Sequence, residues 1–203
     1  MSKTFITSDT HFNHVKILDY CSDRRLGREI TESNTDLLLS DMNEFIVSKW
    51  NSVVSPEDTV YHLGDCCMGI IDKSIKYLHR LNGKKILIKG NHDKTLCKHP
   101  DLMNIFSEVC DYKEITYKYN SEKHFICMSH FPMKFWNRMN NDVLKTSIHC
   151  HGHTHASHGL HLGPGAIIDV GSDGNNLTPY LLDDVIKLAL SNAKKLPSTH
   201  HHS

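Results

Sequence analysis

Three observations predict an α/β fold. Short β-prone runs alternate with stretches whose apolar residues recur at helical spacing. The run at residues 58–63, the stripe Ile71, Ile75, Leu78 and Leu81, and the run at 85–89 follow one another as strand, helix and strand. Nearly every strand-like run stops at Asp, Asn or His, as strands do when they deliver a loop to a ligand-facing edge. With 203 residues, 39% of them hydrophobic, the chain can bury one core of ordinary size. A single domain is therefore expected over residues 1–196, with a disordered tail over 197–203.

Thr4, Phe5, Ile6 and Thr7 read as the first strand, stopping at Ser8-Asp9-Thr10-His11. Residues 21–34 are polar and aperiodic, but from Thr35 the spacing of Leu38, Met42, Phe45 and Ile46 predicts a helix ending near Trp50, a core residue. The second strand (DTVYHL) ends at Gly64-Asp65; Asn82-Gly83 closes the next helix, and the third strand (KILIK) runs up to Gly90-Asn91-His92-Asp93. A short helical piece is expected around 102–106. Ile115, Tyr117 and Tyr119 then face the run 125–128 across Asn120-Ser121-Glu122, the pattern of a hairpin. Further strands are expected at 148–151 and 166–170, and a last helix at 183–193, with Val185, Ile186, Ala189 and Leu190 inward.

Charge and cysteine content narrow the function. Twenty-three basic residues balance 23 acidic ones, so the global basic field that tracks extended nucleic acid or an anionic membrane is missing. No apolar run approaches the roughly 18–20 residues of a membrane span, and the start MSKTFITSDTHF lacks the zones of a secretory signal. Seven cysteines, an odd number without a CxxC pair, argue against a disulfide framework and against a four-thiolate zinc site. A cytoplasmic protein with reduced, mostly buried thiols is expected, and a small or locally bound substrate fits the balanced charge better than an extended polyanion.

The 17 histidines stand out, and their positions carry the chemistry. Asp9 and His11 are two apart, so in an extended segment both side chains leave on one side and can grip one ion; His153 and His155 repeat that spacing. Asp65 and Asn91 each follow a glycine at a strand end, and His130 follows Met128-Ser129 at another. In order the chain reads D-x-H at Asp9, G-D at Gly64, G-N-H-D at Gly90, a separate His130 and G-H-x-H at Gly152. This order resembles the calcineurin-like metallophosphoesterase superfamily over about residues 7–155. The segments SDTHFNH, VYHLGD, KGNHD, SHFP, HGHTH and IDVG are similar to its small bacterial and phage members.

The resemblance implies a four-layer α/β/β/α metallophosphoesterase sandwich, two mixed sheets flanked by helices, and a hydrolase of phosphate esters, either a phosphodiesterase or a nucleotide phosphatase. It implies one metal ion on Asp9, His11 and His155, a second on Asn91, His130 and His153, and Asp65 bridging both. Two such ions about 3.5–4 Å apart share a hydroxide made from water and clamp phosphate oxygens. Nitrogen and oxygen ligands without thiolate suit Mn, expected to serve in an assay, and also Fe, Ni, Co or Zn. His92 is implied as the general acid rather than a ligand. Asp93 is a candidate to orient it, or else a loop-capping carboxylate. Candidate substrate contacts are His14, Arg25 and Arg138, with Arg24 and Arg28 as further phosphate-binding candidates and Trp136 as a wall for a base or aromatic leaving group.

Two departures from the family pattern matter. Asn13 stands where many relatives have Gly, which points to a tighter loop or an amide offered to substrate. Cys66-Cys67 replaces the acidic residue and Arg of the protein phosphatases, which disfavours that activity. Of the other histidines, His151 and His62 are expected to support the ligands, His149 to be structural, and His79, His99, His124, His158 and His161 to lie at the surface or in turns. Two alternatives compete: a histidine-triad-like nucleotide hydrolase, from the run His149-Cys150-His151-Gly152-His153, and a non-catalytic scaffold of the same fold.

Overall fold

The computed structural model describes residues 2–139, 147–156 and 166–193. His158, His161 and the tail carrying His200, His201 and His202 lie outside the described residues. The strands are β1 (Thr4–Thr7), β2 (Thr59–His62), β3 (Lys84–Ile88), β4 (Phe106–Cys110), β5 (Lys113–Tyr119), β6 (Glu122–Met128), β7 (Ser147–His151), β8 (Ala166–Asp169) and β9 (Tyr180–Leu181). The helices are α1 (Ile17–Tyr20), α2 (Thr35–Val53), α3 (Ile71–Leu78), α4 (Leu102–Ile105) and α5 (Leu182–Ala193). They build two mixed sheets, β4-β3-β2-β1-β9 and β5-β6-β7-β8. In the first, β1 to β4 are parallel and β9 is antiparallel; in the second, β6, β7 and β8 are parallel and β5 is antiparallel.

Side-chain alternation sorts the strands into layers. Phe5, Val60 and Leu87 face outward from the first sheet and are covered by Leu38, Met42, Ile46 and Trp50 of α2 and by Ile75 and Leu78 of α3. Their neighbours Ile6, Ile86 and Ile88 face inward and meet Ile126, Met128, Ile148, Cys150 and Ile168 of the second sheet; Val185, Ile186 and Ala189 of α5 join this middle core. The outer face of the second sheet carries Cys127 and Ile167 beneath Trp136. The architecture is the α/β sandwich of two mixed sheets that the sequence predicts.

Four details differ from the sequence reading. β4 follows α4 without a turn residue, and β9 has only two residues, so neither leaves a periodic signature. The hairpin turn is Asn120-Ser121, both at positive φ (48° and 67°), with Tyr119 paired to Glu122; this twist matches that of the flanking strands. His124, expected at the surface, is buried, because β6 turns it to the same face as Ile126 and Met128. Trp50 is core as expected, with its indole N–H donating to Asn82 O at 3.0 Å and its ring stacked on His62. Among the described residues, no helix is long and apolar enough to cross a membrane.

Ile46 is fully buried between α2 and the first sheet. Ile46→Ala should therefore cost about 2–5 kcal/mol through lost transfer energy and the cavity left behind, read as a lower urea midpoint with an unchanged slope.

Candidate metal centre

The loops that leave β1, β2, β3, β6 and β7 meet at one edge of the two sheets. Backbone bonds lock the first two together, Asp9 N–H to Gly64 O (3.0 Å) and His11 N–H to Asp65 O (3.0 Å). The second and third loops approach closely at two glycines. A Cβ on Gly64 would meet the backbone of Gly90, and a Cβ on Gly90 would meet the Asp65 carboxylate and, at 2.5 Å, its amide nitrogen. Asp93 ties the same loops: its buried carboxylate accepts from the backbone N–H of Asp65 (2.8 Å), Cys66 (2.9 Å) and Gly90 (2.8 Å). Asp93 thus acts as a loop-capping carboxylate, its oxygens accepting from three backbone donors.

The segments that carry the candidate ligands are not extended, contrary to the spacing argument. Asp9, His11 and Asn13 have φ of 57°, 50° and 59°, Asp65 has 56°, and His153 and His155 have 71° and 51°. Left-handed backbone costs a non-glycine residue roughly 1–2 kcal/mol, and Asp, Asn and His are among the types that tolerate it best. The side chains of every second residue still converge, but through alternating left-handed turns. Asn13 shows what holds such a turn. Asn43 of α2 donates to its side-chain oxygen (3.0 Å) and accepts from its backbone N–H (3.1 Å), while the Asn13 amide donates to Ser74 (3.0 Å). That amide is engaged within the fold, not offered to a substrate.

Two clusters result: Asp9, His11 and His155 in one, Asp65, His130 and His153 in the other, each with ligand-type atoms all within 4.8 Å of one another. His11 Nε2 and His155 Nε2 both lie 3.9 Å from Asp9 Oδ1. Asp65 Oδ2 lies 3.8 Å from His11 Nε2 and 3.4 Å from His130 Nε2, and so touches both clusters. His130 Nδ1 is 2.7 Å from Leu63 O, and Nε2 is 3.1 Å from Asn91 Oδ1. Nδ1 thus faces a carbonyl while Nε2 faces two side-chain oxygens, Asp65 Oδ2 and Asn91 Oδ1, a gathering of donor atoms that suits a cation.

Electrostatics lead to the same reading. Burial pushes the Asp9 carboxyl up to about 7 against the lowering influence of His155 and His130. Burial also holds His11 well below its ordinary value, with Arg24 and His155 adding to the effect. Asp9 Oδ1 and His11 Nε2 are both buried without a hydrogen-bonding partner among the described residues. Orphaned acceptor and imidazole atoms converging on one point, with no thiolate among them, fit a divalent cation.

Of the other predicted site residues, some come to the cluster. The His92 backbone N–H donates to Asp65 Oδ1 (2.9 Å) and its ring, one third exposed, brings Nε2 to 3.9 Å from Asp65 Oδ2. His14 stands beside it, with Nδ1 3.3 Å from His11 Nδ1. Others do not. Arg25 braces the carbonyl of Leu18 (2.6 Å), Arg28 pairs with Asp41, and Arg138 lies 3.7 Å over the Phe125 ring. Trp136 is buried on the outer face of the second sheet, donating to Ser147 Oγ (3.1 Å), so it forms no wall of the site. His149 is structural, its two ring nitrogens bonded to Cys127 O and Met133 N–H. His62 is a core residue wedged between Thr10 Oγ1 and Cys66 Sγ, its pKa lowered to about 3 by burial. His151 is buried, with Nδ1 2.8 Å from Gly152 O.

Two features escaped the sequence reading. Phe131, of the SHFP segment, is 49% exposed with its ring edge-on to His153 (4.7 Å) and His130 (4.9 Å), and it is the aromatic side chain that flanks the cluster. The other is Asp173, which bonds Arg24; that arginine, a candidate phosphate contact in the sequence, is wholly buried instead.

The two mixed sheets thus bring two carboxylate–imidazole clusters to their shared edge. No protein-family model matches the chain. It is 38% identical over 96 residues to the uncharacterized protein MJ1445 of Methanocaldococcus jannaschii, covering 46% of this chain and 48% of that one. The chain thus spans about half the length of that relative. It is 29% identical over 177 residues to the Gene 66 protein of Mycobacterium phage D29, covering 77% and 80% of the two chains. Among solved structures, the protein of unknown function AQ665 from Aquifex aeolicus shares the fold at a TM-score of 0.60 and 24% identity, over 93% of this chain and 100% of that one. A novel archaeal phosphodiesterase aligns over 85% of this chain and 86% of its own, at a TM-score of 0.42 and 22% identity.

Gly90→Ala should push its methyl group into Asp65. The expected outcome is a loss of about 1–3 kcal/mol from overpacking, seen as a lower Tm, together with weaker uptake of divalent ions; wild-type values for both would contradict the close approach.

Proposed function

We propose that the chain is a dinuclear metal-dependent hydrolase of phosphate esters, a phosphodiesterase or nucleotide phosphatase acting on a small substrate. The single observation that carries this reading is the position of Asp65, one carboxylate oxygen within 4 Å of imidazole nitrogens from both clusters. Asp9, His11 and His155 would hold one ion, Asn91, His130 and His153 the other, and Asp65 would bridge them. Bound divalent cations, with Mn the first choice and Fe, Ni, Co or Zn the others, would supply activation of water at neutral pH and charge stabilisation on the phosphate.

The chain's own residues set the rest. Asp65 Oδ1 is anchored by the His92 backbone N–H, which leaves Oδ2 turned toward the imidazoles. The carbonyl of Leu63 holds the His130 ring, so that Nε2 points at Asp65 and Asn91. His92 has the part-exposed position and reach to donate a proton to the leaving oxygen, and His14 lies beside it to contact the phosphate. All seven cysteines are free, which supports a reducing, cytoplasmic setting. The histidine-triad alternative is disfavoured because both nitrogens of His149 are bonded within the fold.

The deciding experiment is metal analysis of the purified protein followed by a Mn-supplemented panel of cyclic nucleotides, nucleotides and model phosphodiesters. Stripping the metal should abolish hydrolysis and lower Tm, since the converging carboxylates and imidazoles lose their counter-charge. Full hydrolysis after verified metal loss would overturn the two-metal reading.

A second test separates acid from ligand. His92→Asn should retain both ions yet slow hydrolysis of alkyl esters by roughly 10²–10⁴-fold, with a much smaller loss for p-nitrophenyl esters, whose leaving oxygen needs little protonation. Equal losses for both would show that His92 positions phosphate instead.

A further inference from the structure

A guanidinium shielded completely from solvent is costly unless every donor is matched, and Arg24 is 0% exposed. Its Nε and Nη2 donate to the two oxygens of Asp173 at 2.6 and 2.8 Å, Nη1 to Thr10 O at 2.8 Å, and Nη2 also to Asp9 O at 2.6 Å and Ser172 Oγ at 3.2 Å. Asp173 Oδ2 in turn accepts from His155 Nδ1 at 2.7 Å. One guanidinium thus grips the backbone of Asp9 directly and the ring of His155 through Asp173, two of the three residues of the first cluster.

We infer that Asp173, held by Arg24, is the positioning residue for the ion site of Asp9, His11 and His155. The inference rests on the two-metal reading above. With the Nδ1 proton committed to Asp173, the His155 lone pair stays on Nε2, 3.9 Å from Asp9 Oδ1, and the carboxylate makes the ring a better electron donor. His130, in the other cluster, is oriented by a neutral backbone carbonyl, so the two sites differ in the strength of their support.

A competing interpretation of the same atoms fails on charge. Cys21, His155 and Asp173 also bring ligand-type atoms within 4.8 Å of one another. Both Asp173 oxygens, however, already lie against the Arg24 guanidinium, whose fixed positive charge would repel a cation there.

The test is calorimetric titration of metal-stripped full-length protein with Mn²⁺, comparing wild type, Asp173→Asn and Arg24→Lys. Wild type should take up two ions. Asp173→Asn should weaken one of them 10- to 100-fold and leave the other unchanged, and Arg24→Lys should weaken the same ion to a smaller extent. Two ions bound at wild-type affinity in Asp173→Asn, or both weakened alike, would overturn the positioning role while leaving the metal reading in place. A wild type that binds no ion would overturn the metal reading itself. Should the variants not fold, long-range proton–nitrogen NMR of Zn-loaded wild type decides. A His155 ring protonated at Nδ1 with Nε2 on the metal is expected, and a ring bound through Nδ1 would refute the assignment.

Discussion

The constraint on which the rest of the structure depends is the burial of one carboxylate among imidazoles. Asp65 lies between the loops that follow β1, β3 and β6, and its charge is matched by His130 and His92 rather than by water. Burial alone would raise its pKa; hydrogen bonding and charge from His130, helped by His92, reverse that and lower it. Such a group can be placed only by a rigid surround, and each neighbouring element serves that end. Gly64 and Gly90 allow two backbones to touch, Asp93 pins both, and the parallel strands of the two mixed sheets bring five loop ends to one edge.

The strain recorded in the backbone belongs to the same account. Five of the seven proposed ligands have positive φ, namely Asp9, His11, Asp65, His153 and His155. Residues in this region persist only where surrounding bonds over-determine them, and the cross-loop bonds to Gly64 and Asp65 carbonyls do this for the first loop. The reading of the sequence assumed extended segments and reached the same convergence by the wrong route, since both a strand and alternating left-handed turns return every second side chain to one side.

Much of the fold was legible because alternation and helical spacing are local. β1, β2, β3, the hairpin and α2, α3 and α5 all follow from patterns within a dozen residues. β4 and β9 were illegible because their strand character comes from the edges they pair with: Lys85 and Ile88 for one, Phe5 and Ile6 for the other. The carboxylates and imidazoles that gather at the sheet edge were legible as an ordered set of motifs. Their supports were not. Arg24 was read as a candidate phosphate contact because nothing in the run SDRR distinguishes a buried guanidinium from an accessible one, and its partner Asp173 is 149 residues away. His124 and Trp136 were misread for the related reason that polarity in a loop or at a strand start says little about which layer will cover it.

That separation bears on how the centre comes into being. The Arg24–Asp173 pair joins the first loop region of the chain to the turn just before β9 and α5, and His155 sits between them in space although it lies far from Arg24 in sequence. During synthesis, a ribosome that has released the chain only through β6 has exposed Asp9, His11, Asp65 and Asn91 but neither His155 nor the turn that aims it. Long-range closures of this kind are slow and come late. The first cluster is therefore complete only once segments from near both ends of the chain, carrying Arg24 and Asp173, have come together around His155.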